Sequence, residues 1–503
     1  MTNVRSSTVD DILRRSANKH PNRCALVYED REWTYRELDD AITRTAAALL
    51  ARGLRKGDRV AAYGQNSDAY VIAFLGVCRA GLIHVPINYA LTGEELAYLI
   101  DQSGASLVLA DPHLAPHLDK LAQVPEHLLL HGGPDCLLDQ VRTGPVPQID
   151  VEISDTDLCQ LIYTSGTTSR AKGAMMTHRA YVYHYASVII ALDFKEDDAP
   201  LHAMPLYHTA QMHAFMLPYL AVGARNRLLT TPDIPRMLEL VESEKTRALF
   251  LAPTVWVPLS QHPDFATRDL SNLRKAYYGA SVMPGPVRER IAQALPELGW
   301  YNCFGQTEIA PLATVLRPEE HAARPESCGR PVLFVELRVI NPDGTEVAPG
   351  ETGEVVYRSP QLCEGYWNKP EETAEAFEGG WFHSGDLVRI DEQGYITVVD
   401  RIKDVINTGG VLVASREVED CIYAHPAVAE VAVISTPDPK WIEAVTAVVV
   451  LRPGQSASAE ELIAYSKERL AKYKVPKLIH FVDELPRNAS GKLLKRVLRD
   501  KIG

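Results

Sequence analysis

The residues best equipped for chemistry lie in a run that begins at Leu161, LIYTSGTTSRAKGAMMTHRA. An apolar strand, Leu161-Ile-Tyr, leads into a loop of Thr, Ser and Gly, and a helical stretch follows from Thr177. Glycine lets a backbone approach a ligand closely, successive N–H groups and hydroxyls can wrap phosphate oxygens, and Lys172 adds a positive charge. The spacing from Gly166 to Lys172 equals that of a nucleotide P-loop, but Ala171 stands in place of its Gly and Gly173 in place of its Ser or Thr. Taken alone, the run fits either a phosphate-binding loop or an ordinary polar connection.

Four further segments follow in order: YNCFGQTE at 301–308, WFHSGD at 381–386, VDRIKD at 399–404 and PRNASGK at 486–492. With these five motifs the chain resembles, along its whole length, the adenylate-forming family of acyl-CoA synthetases, adenylation domains and luciferases. It is most similar to the acid–CoA ligases of fatty-acyl-CoA synthetase type. The resemblance implies that Thr164, Ser165, Gly166, Thr167, Thr168 and Lys172 hold the phosphates of ATP. It places Thr164 and Glu308 near Mg²⁺, a hard cation that prefers oxygen ligands. Gly279, Ala280, Ser281, Asn302, Phe304, Gly305, Gln306 and Thr307 then line the nucleotide, with Phe304 stacking on adenine where Tyr is more usual, so a phenol hydrogen bond is lost. Asp386 accepts both ribose hydroxyls and Arg401 makes a second ribose contact.

Lys492 corresponds to the family's catalytic lysine, which bridges the substrate carboxylate and the α-phosphate. Two anions meet there, and a unit charge pair at about 4 Å in an effective dielectric near 20 is worth roughly 4 kcal/mol. Catalysis is thus expected of Lys492, Glu308 and Thr164. Lys403 corresponds to the hinge, Gly409 and Gly410 to the glycines beside the pantetheine of coenzyme A, and Tyr207, His208, Gln211, Met212, Ile309 and Ala310 to the acyl pocket. Read without the resemblance, Asp386 in Ser-Gly-Asp is equally a turn residue, Lys492 a solvated lysine, Glu308 a surface carboxylate and His208 a polar residue beside a cleft.

Two departures bear on activity. Ser169 and Ala171 replace a Gly and a Pro of the usual loop, which adds a side chain and removes a rigid φ. After Gly409-Gly410 the chain reads Val411-Leu-Val-Ala-Ser415, without the usual polar residue. The expected activity is an AMP-forming ligation, with ATP, Mg²⁺ and coenzyme A: a carboxylate attacks the α-phosphate, pyrophosphate leaves, and the CoA thiolate then displaces AMP. The stretches 207–215, 277–283 and 309–312 are mostly apolar and carry no arginine for a second carboxylate, which favours a hydrophobic or aromatic monoacid. Delivery to a carrier protein, a thioester-forming half-enzyme and a nucleotide-binding protein without turnover are the alternatives.

These residues need elements to hold them. Before about residue 325, β-rich runs such as Arg59-Val-Ala-Ala-Tyr alternate with helical patterns, the rhythm of βα units and mainly parallel sheet. From about 328 to 399 the turns Asn341-Pro-Asp-Gly, Pro349-Gly-Glu-Thr-Gly and Asp391-Glu-Gln-Gly predict a small antiparallel barrel or sheet. Beyond residue 400 the spacing predicts a helix over 415–423, strands near 431–435 and 444–451, and a helix opened by the capping box Ser458-Ala-Glu-Glu461. The expected class is α/β: an N-terminal domain, 1–400, of two βα-layered sheets plus a small β-barrel, and a small mobile α+β C-terminal domain, 401–503.

Composition sets the outer limits. With 503 residues, 46% of them hydrophobic, the chain has ample core for such domains. Its 52 Lys and Arg oppose 65 Asp and Glu, a net charge of −13 that argues against a nucleic-acid binder. Residues 400–503 nevertheless hold 16 basic against 14 acidic side chains, and 472–503 hold 9 against 3. That tail is either a solvated face or a basic lid for a polyanion. The eight dispersed cysteines include no Cys-x-x-Cys pair, there is no His-Glu-x-x-His, and the first twenty residues lack a signal-peptide core. No stretch of about 18 apolar residues occurs. A cytoplasmic protein handling small molecules is expected, and a homodimer is compatible with the sequence.

Overall fold

The computed structural model describes residues 6–502 apart from 124, 134, 165–169, 280–282, 409–410, 440 and 488–492. The chain divides into two compact units. The described residues up to Thr164, Arg170–Glu336 and Arg358–Phe382 form the first; Leu337–Tyr357 and the described residues from His383 onward form the second. It is a mixed α/β protein, and the two sheets of the first unit are mainly parallel, as the sequence suggested, with antiparallel pairs only at their edges. The reason is connection length: links too short for a helical crossover can only join antiparallel neighbours.

One sheet of the first unit runs in the order His127–Leu129, Ala105–Ala110, Arg59–Tyr63, Ile83–Ile87, Leu158–Thr164, Lys172–Thr177. All neighbours are parallel except the last two strands, which the expected phosphate loop joins as a hairpin. The second sheet runs from Arg330–Pro331 through Leu312–Leu316, Gly299–Gly305, Lys275–Gly279, Ala248–Phe250, Leu201–His202 and Asn226–Leu228 to Cys24–Tyr28 and Arg31–Thr34. Its interior is parallel and its ends antiparallel.

The helix Asp68–Arg79 is buried at every position, and its sequence is correspondingly apolar on all sides. Ser67 caps it, accepting from the Tyr70 N–H at 3.1 Å. At Gly76 an added Cβ would lie 2.3 Å from Thr45 Cγ2, so glycine permits the close approach of the helix Tyr35–Ala51. Both charged ends are neutralised. Asp68 accepts from Arg31 Nε and Nη2 at 2.8 Å each and from Trp33 Nε1 at 2.9 Å; Arg79 pairs with Asp10 at 2.6 Å and also with Asp39. Removing one partner from such a buried pair costs about 3–5 kcal/mol.

In the second unit, the turn-rich stretch forms a sheet in the order Glu336–Ile340, Thr352–Arg358, Phe382–Ile390, Ile396–Arg401. A further sheet places Ile442–Leu451 between Val428–Asp438 and Ile406–Thr408, with Leu478–Phe481 pairing parallel to it. Ile406, Val413, Val418, Ile422, Val433, Val445 and Leu462 build one core beneath the helices Ser415–Tyr423 and Ala459–Lys467. The capping box at Ser458 forms as expected, with the Glu461 N–H donating to Ser458 Oγ at 3.1 Å. All eight cysteines are free, and among the described residues no helix is long and apolar enough to cross a membrane.

Candidate active site

The hairpin that carries the expected phosphate loop is registered so that Thr164 faces Lys172, and Thr164 Oγ1 lies 3.5 Å from the Lys172 carbonyl. The loop therefore leaves and re-enters the sheet at the two residues expected to touch phosphate. Ser165, Gly166, Thr167, Thr168, Ala280, Ser281, Gly409, Gly410 and Lys492 lie outside the described residues.

The motif that ends in Glu308 is built on the strand Gly299–Gly305. A bulge between Phe304 and Gly305 ends the regular pairing with Leu312–Leu316, and bulges commonly re-aim a chain beside a site. Gly305 has φ of 157°, and a Cβ there would fall 2.0 Å from the Pro311 carbonyl oxygen, so the turn admits only glycine. Gly279 is similarly constrained, its Cβ position lying 2.4 Å from the Cys303 carbonyl. Thr307–Ile309 then forms a short 3₁₀ turn. Asn302 donates to the Ser327 carbonyl at 2.9 Å, Phe304 is half-buried, and the Gln306 amide nitrogen is buried with no acceptor among the described residues.

Glu308 is only 7% exposed. Among the described residues no cation lies within ion-pair distance of it, and its one side-chain hydrogen bond comes from the Tyr366 hydroxyl at 3.0 Å. A buried carboxylate without a protein counter-charge is costly unless a bound cation supplies one. Among the described residues no cluster of three or more His, Cys, Asp or Glu could hold a metal alone. That suits Mg²⁺, which binds through one or two carboxylates plus phosphate oxygens and water. The oxygen donors at Glu308 and Thr164 fit it.

The expected acyl-pocket residues are tied to this turn, because Thr209 Oγ1 donates to Thr307 Oγ1 at 3.4 Å. The stretch after His208 is a π-helix, Ala210–Met216, a geometry common at functional sites that its sequence did not signal. His208 Nδ1 accepts from the Ala210 N–H at 3.3 Å. Gln211 is fully buried and its amide is already engaged, accepting from the Met204 N–H at 3.1 Å and lying 2.8 Å from His202 Nδ1. Met212, Ile309 and Ala310 are fully buried. The Tyr207 hydroxyl is buried without a partner among the described residues; its ring meets Tyr89 edge-on at 5.5 Å, and burial pushes the phenol pKa up.

Behind the π-helix lies a buried polar network that sequence reasoning did not single out. His213 stacks on Tyr181 at 3.6 Å and joins the Tyr185 hydroxyl at 2.7 Å and Gln160 Oε1 at 2.8 Å; Gln160 Nε2 is 3.0 Å from His84 Nδ1. Burial holds His84 and His184 down to about 3 and His202 to about 4, so these rings are neutral. The aromatics from Tyr181 pack along their helix, with Tyr183 left 38% exposed.

In the second unit, Asp386 and Arg401 face each other across adjacent strands, Arg401 Nε lying 3.1 Å from Asp386 Oδ1. Asp386 is 4% exposed and its backbone N–H donates to Ser384 Oγ at 3.0 Å. Lys403 sits exposed on the 3₁₀ turn Ile402–Asp404. Burial raises the Asp404 carboxyl, but Lys495 and Arg499 outweigh it and hold the group below its usual range, with Arg499 at 2.6 Å. Asp400 supplies the cap that Ala414 cannot, accepting from Ser415 Oγ at 2.8 Å as well as from the Ser415 N–H. The basic tail is partly spent inside its own unit: Lys474 pairs with Glu417, Arg487 with Glu430 and Lys495 with Glu419.

Comparison with known proteins agrees with this organisation. The AMP-binding enzyme family profile matches residues 13–367, and the profile of the AMP-binding enzyme C-terminal domain matches 417–492. A feruloyl-CoA synthase of Amycolatopsis sp is 38% identical over 97% of this chain and 98% of its own. The long-chain-fatty-acid–CoA ligase FadD13 of Mycobacterium tuberculosis is 33% identical over 97% of each chain. The anthranilate CoA ligase AuaEII, solved with anthranoyl-AMP, superposes with a TM-score of 0.90 at 28% identity, over 99% of this chain and 97% of that one. The chain belongs to the AMP-binding enzyme family.

Proposed function

We propose that this chain is an AMP-forming acid–CoA ligase that uses ATP, Mg²⁺ and coenzyme A to activate a hydrophobic or aromatic monocarboxylic acid. The observation that carries the reading is the buried Glu308 carboxylate, held by a neutral phenol and with no cation within ion-pair distance among the described residues, beside the hairpin of Thr164 and Lys172. Glu308 and Thr164 would hold Mg²⁺, whose charge draws the β- and γ-phosphates into place. Lys172 and the loop 165–168 bind those phosphates, Phe304 stacks on adenine beside Gly279–Ser281, Asn302 and Gly305–Thr307, and the Asp386–Arg401 pair takes the ribose. Gln306 brings a buried amide donor that has no acceptor among the described residues.

Lys492 bridges the carboxylate and the α-phosphate in adenylation. The small domain, 401–503, then turns on Lys403, and the thiol of coenzyme A enters past Gly409-Gly410. Two separate family profiles, one ending at residue 367 and the other beginning at 417, are compatible with that division from the 1–400 domain. An aromatic acid is favoured by the feruloyl and anthranilate relatives, and by the Tyr207 hydroxyl, which has no partner among the described residues and offers a polar group to a ring substituent. The eight free thiols support residence in a reducing cytoplasm. Pyrophosphate release across a panel of carboxylic acids, with and without coenzyme A, tests the reading. Release with an aromatic or aliphatic monoacid, followed by thioester only when coenzyme A is present, is expected; no release with any acid overturns it.

A further inference from the structure

Tyr366 stands outside the five motifs, yet the chain is built around it. Residues 363–367 run along the strand Lys172–Thr177 as an extra edge, with Ala174 and Tyr366 forming an antiparallel bridge. The Met175 N–H donates to the Gly365 carbonyl at 2.9 Å, and the Trp367 N–H to the Gly173 carbonyl at 2.8 Å. The Tyr366 N–H is itself held by Thr373 Oγ1 at 2.9 Å. On the other side the Cys363 N–H donates to the Glu308 carbonyl at 2.8 Å. One short segment thus stitches the exit strand of the phosphate loop to the turn that presents Glu308.

The side chain repeats the connection. Its hydroxyl donates to Glu308 Oε1 at 3.0 Å, the one side-chain hydrogen bond on that carboxylate among the described residues. Its ring lies under Lys172, whose ammonium is 5.0 Å from the centroid, within cation–π range. A hydrogen bond to a charged acceptor restricts the carboxylate to one orientation and leaves its other oxygen to a cation, while the ring gives the ammonium a seat until phosphate draws it away.

We propose that Tyr366 is a positioning residue of the adenylating half-reaction, its hydroxyl aiming Glu308 at the Mg²⁺ of Mg·ATP and its ring holding Lys172 ready for the phosphates. The proposal rests on the reading of Glu308 and Lys172 given above. Its chemistry separates into two parts: Tyr366→Phe removes only the hydroxyl, and Tyr366→Leu removes the ring as well.

The test measures binding of ATP by calorimetry across a Mg²⁺ series, pyrophosphate release over the same series, and thioester formation from a synthetic acyl-adenylate and coenzyme A. For Tyr366→Phe, the Mg²⁺ concentration giving half-maximal ATP binding and pyrophosphate release rises about tenfold. Thioester formation from the adenylate stays within twofold. Tyr366→Leu adds a further loss of ATP affinity that Mg²⁺ does not restore. Thermal unfolding of both variants accompanies the assays. An unchanged Mg²⁺ requirement in Tyr366→Phe overturns the proposal, and so does an equal loss in both half-reactions that tracks a lowered unfolding temperature. If instead the wild-type chain releases no pyrophosphate with any acid, the ligase reading fails and the proposal falls with it.

Discussion

Lowering the pH from 7 to 5 should strip the first unit of much of its stability, because a set of its buried histidines is held in the neutral form. Burial holds His84 and His184 at about 3 and His178 and His202 at about 4, against 6.5 for an exposed ring. Each ring already accepts or shares a hydrogen bond as a neutral base. His178 Nδ1 takes the Val9 N–H at 3.2 Å, and His202 Nε2 lies 2.9 Å from Asn226 Oδ1. The folded pKa lies below the unfolded one, so the unfolded chain binds more protons in this window, and stability falls as pH falls through 6.5. Between pH 7 and 5 an unfolded ring gains protonation worth about 2 kcal/mol, and this figure is insensitive to the folded pKa once that lies below 5. Four rings give roughly 8 kcal/mol, and His213, held well below its usual value by burial and then by His184 and His84, adds to it. Two groups of the same unit oppose this. Asp10 is raised by burial and His131 by its hydrogen bond to Asp111, so both favour the fold as pH drops. Even half of the gross figure rivals the 5–15 kcal/mol that typically holds a domain together.

The assay is urea unfolding at half-unit pH steps, followed by tryptophan fluorescence, with Trp33, Trp256 and Trp300 buried in the first unit as reporters. His84→Phe, at a site already edged by Tyr70 and Phe74, should lower stability at pH 7.5 yet flatten the slope below pH 6.5 by about one ring's share. A stability that is level between pH 7 and 5, or a slope unchanged in that variant, would refute the reasoning.

Three further outcomes are expected. Glu308→Gln should reduce pyrophosphate release about a hundredfold while sparing thioester formation from a synthetic acyl-adenylate, because it removes only the charge proposed to meet Mg²⁺; stopped assays of each half-reaction decide it. Asp400→Ala leaves the Ser415 N–H and hydroxyl without their acceptor and should destabilise the second unit by about 1–2 kcal/mol, read as a lowered unfolding transition of that unit. Gly305→Ala must push its methyl into the Pro311 carbonyl, so both the melting temperature and pyrophosphate release should fall, whereas Gly344→Ala, with nothing within 4 Å, should lose only its turn preference.

Much of this architecture was legible because local chemistry and tertiary role coincide. The strand entering the phosphate loop, the turn-dense stretch after residue 328 and the capping box at Ser458 each carry their own signal. The motif ending at Glu308 was visible for the same reason. What stayed hidden depends on contacts distant in sequence. Tyr366 matters through a carboxylate 58 residues away, and nothing in Gly-Tyr-Trp-Asn announces that. His84 and His213 look like isolated polar residues until Gln160 brings them together. The π-helix at 210–216 has no composition of its own, since the apolar pattern there fits an α-helix equally well. The basic tail also reads differently once folded: Lys474, Arg487, Lys495 and Arg499 are counter-ions for acids of their own unit, so less of its charge faces outward than the sequence count suggests.

The central claim is a two-step ligation through an adenylate, and a single-turnover quench tests it most directly. Enzyme mixed with an acid from the panel and Mg·ATP, without coenzyme A, should accumulate acyl-adenylate near one per active site together with pyrophosphate. Adding coenzyme A should convert it to acyl-CoA and AMP in equal amounts, and Lys492→Ala should block the first step far more than the second. Formation of ADP and phosphate, or thioester appearing without an adenylate that precedes it, would contradict the account.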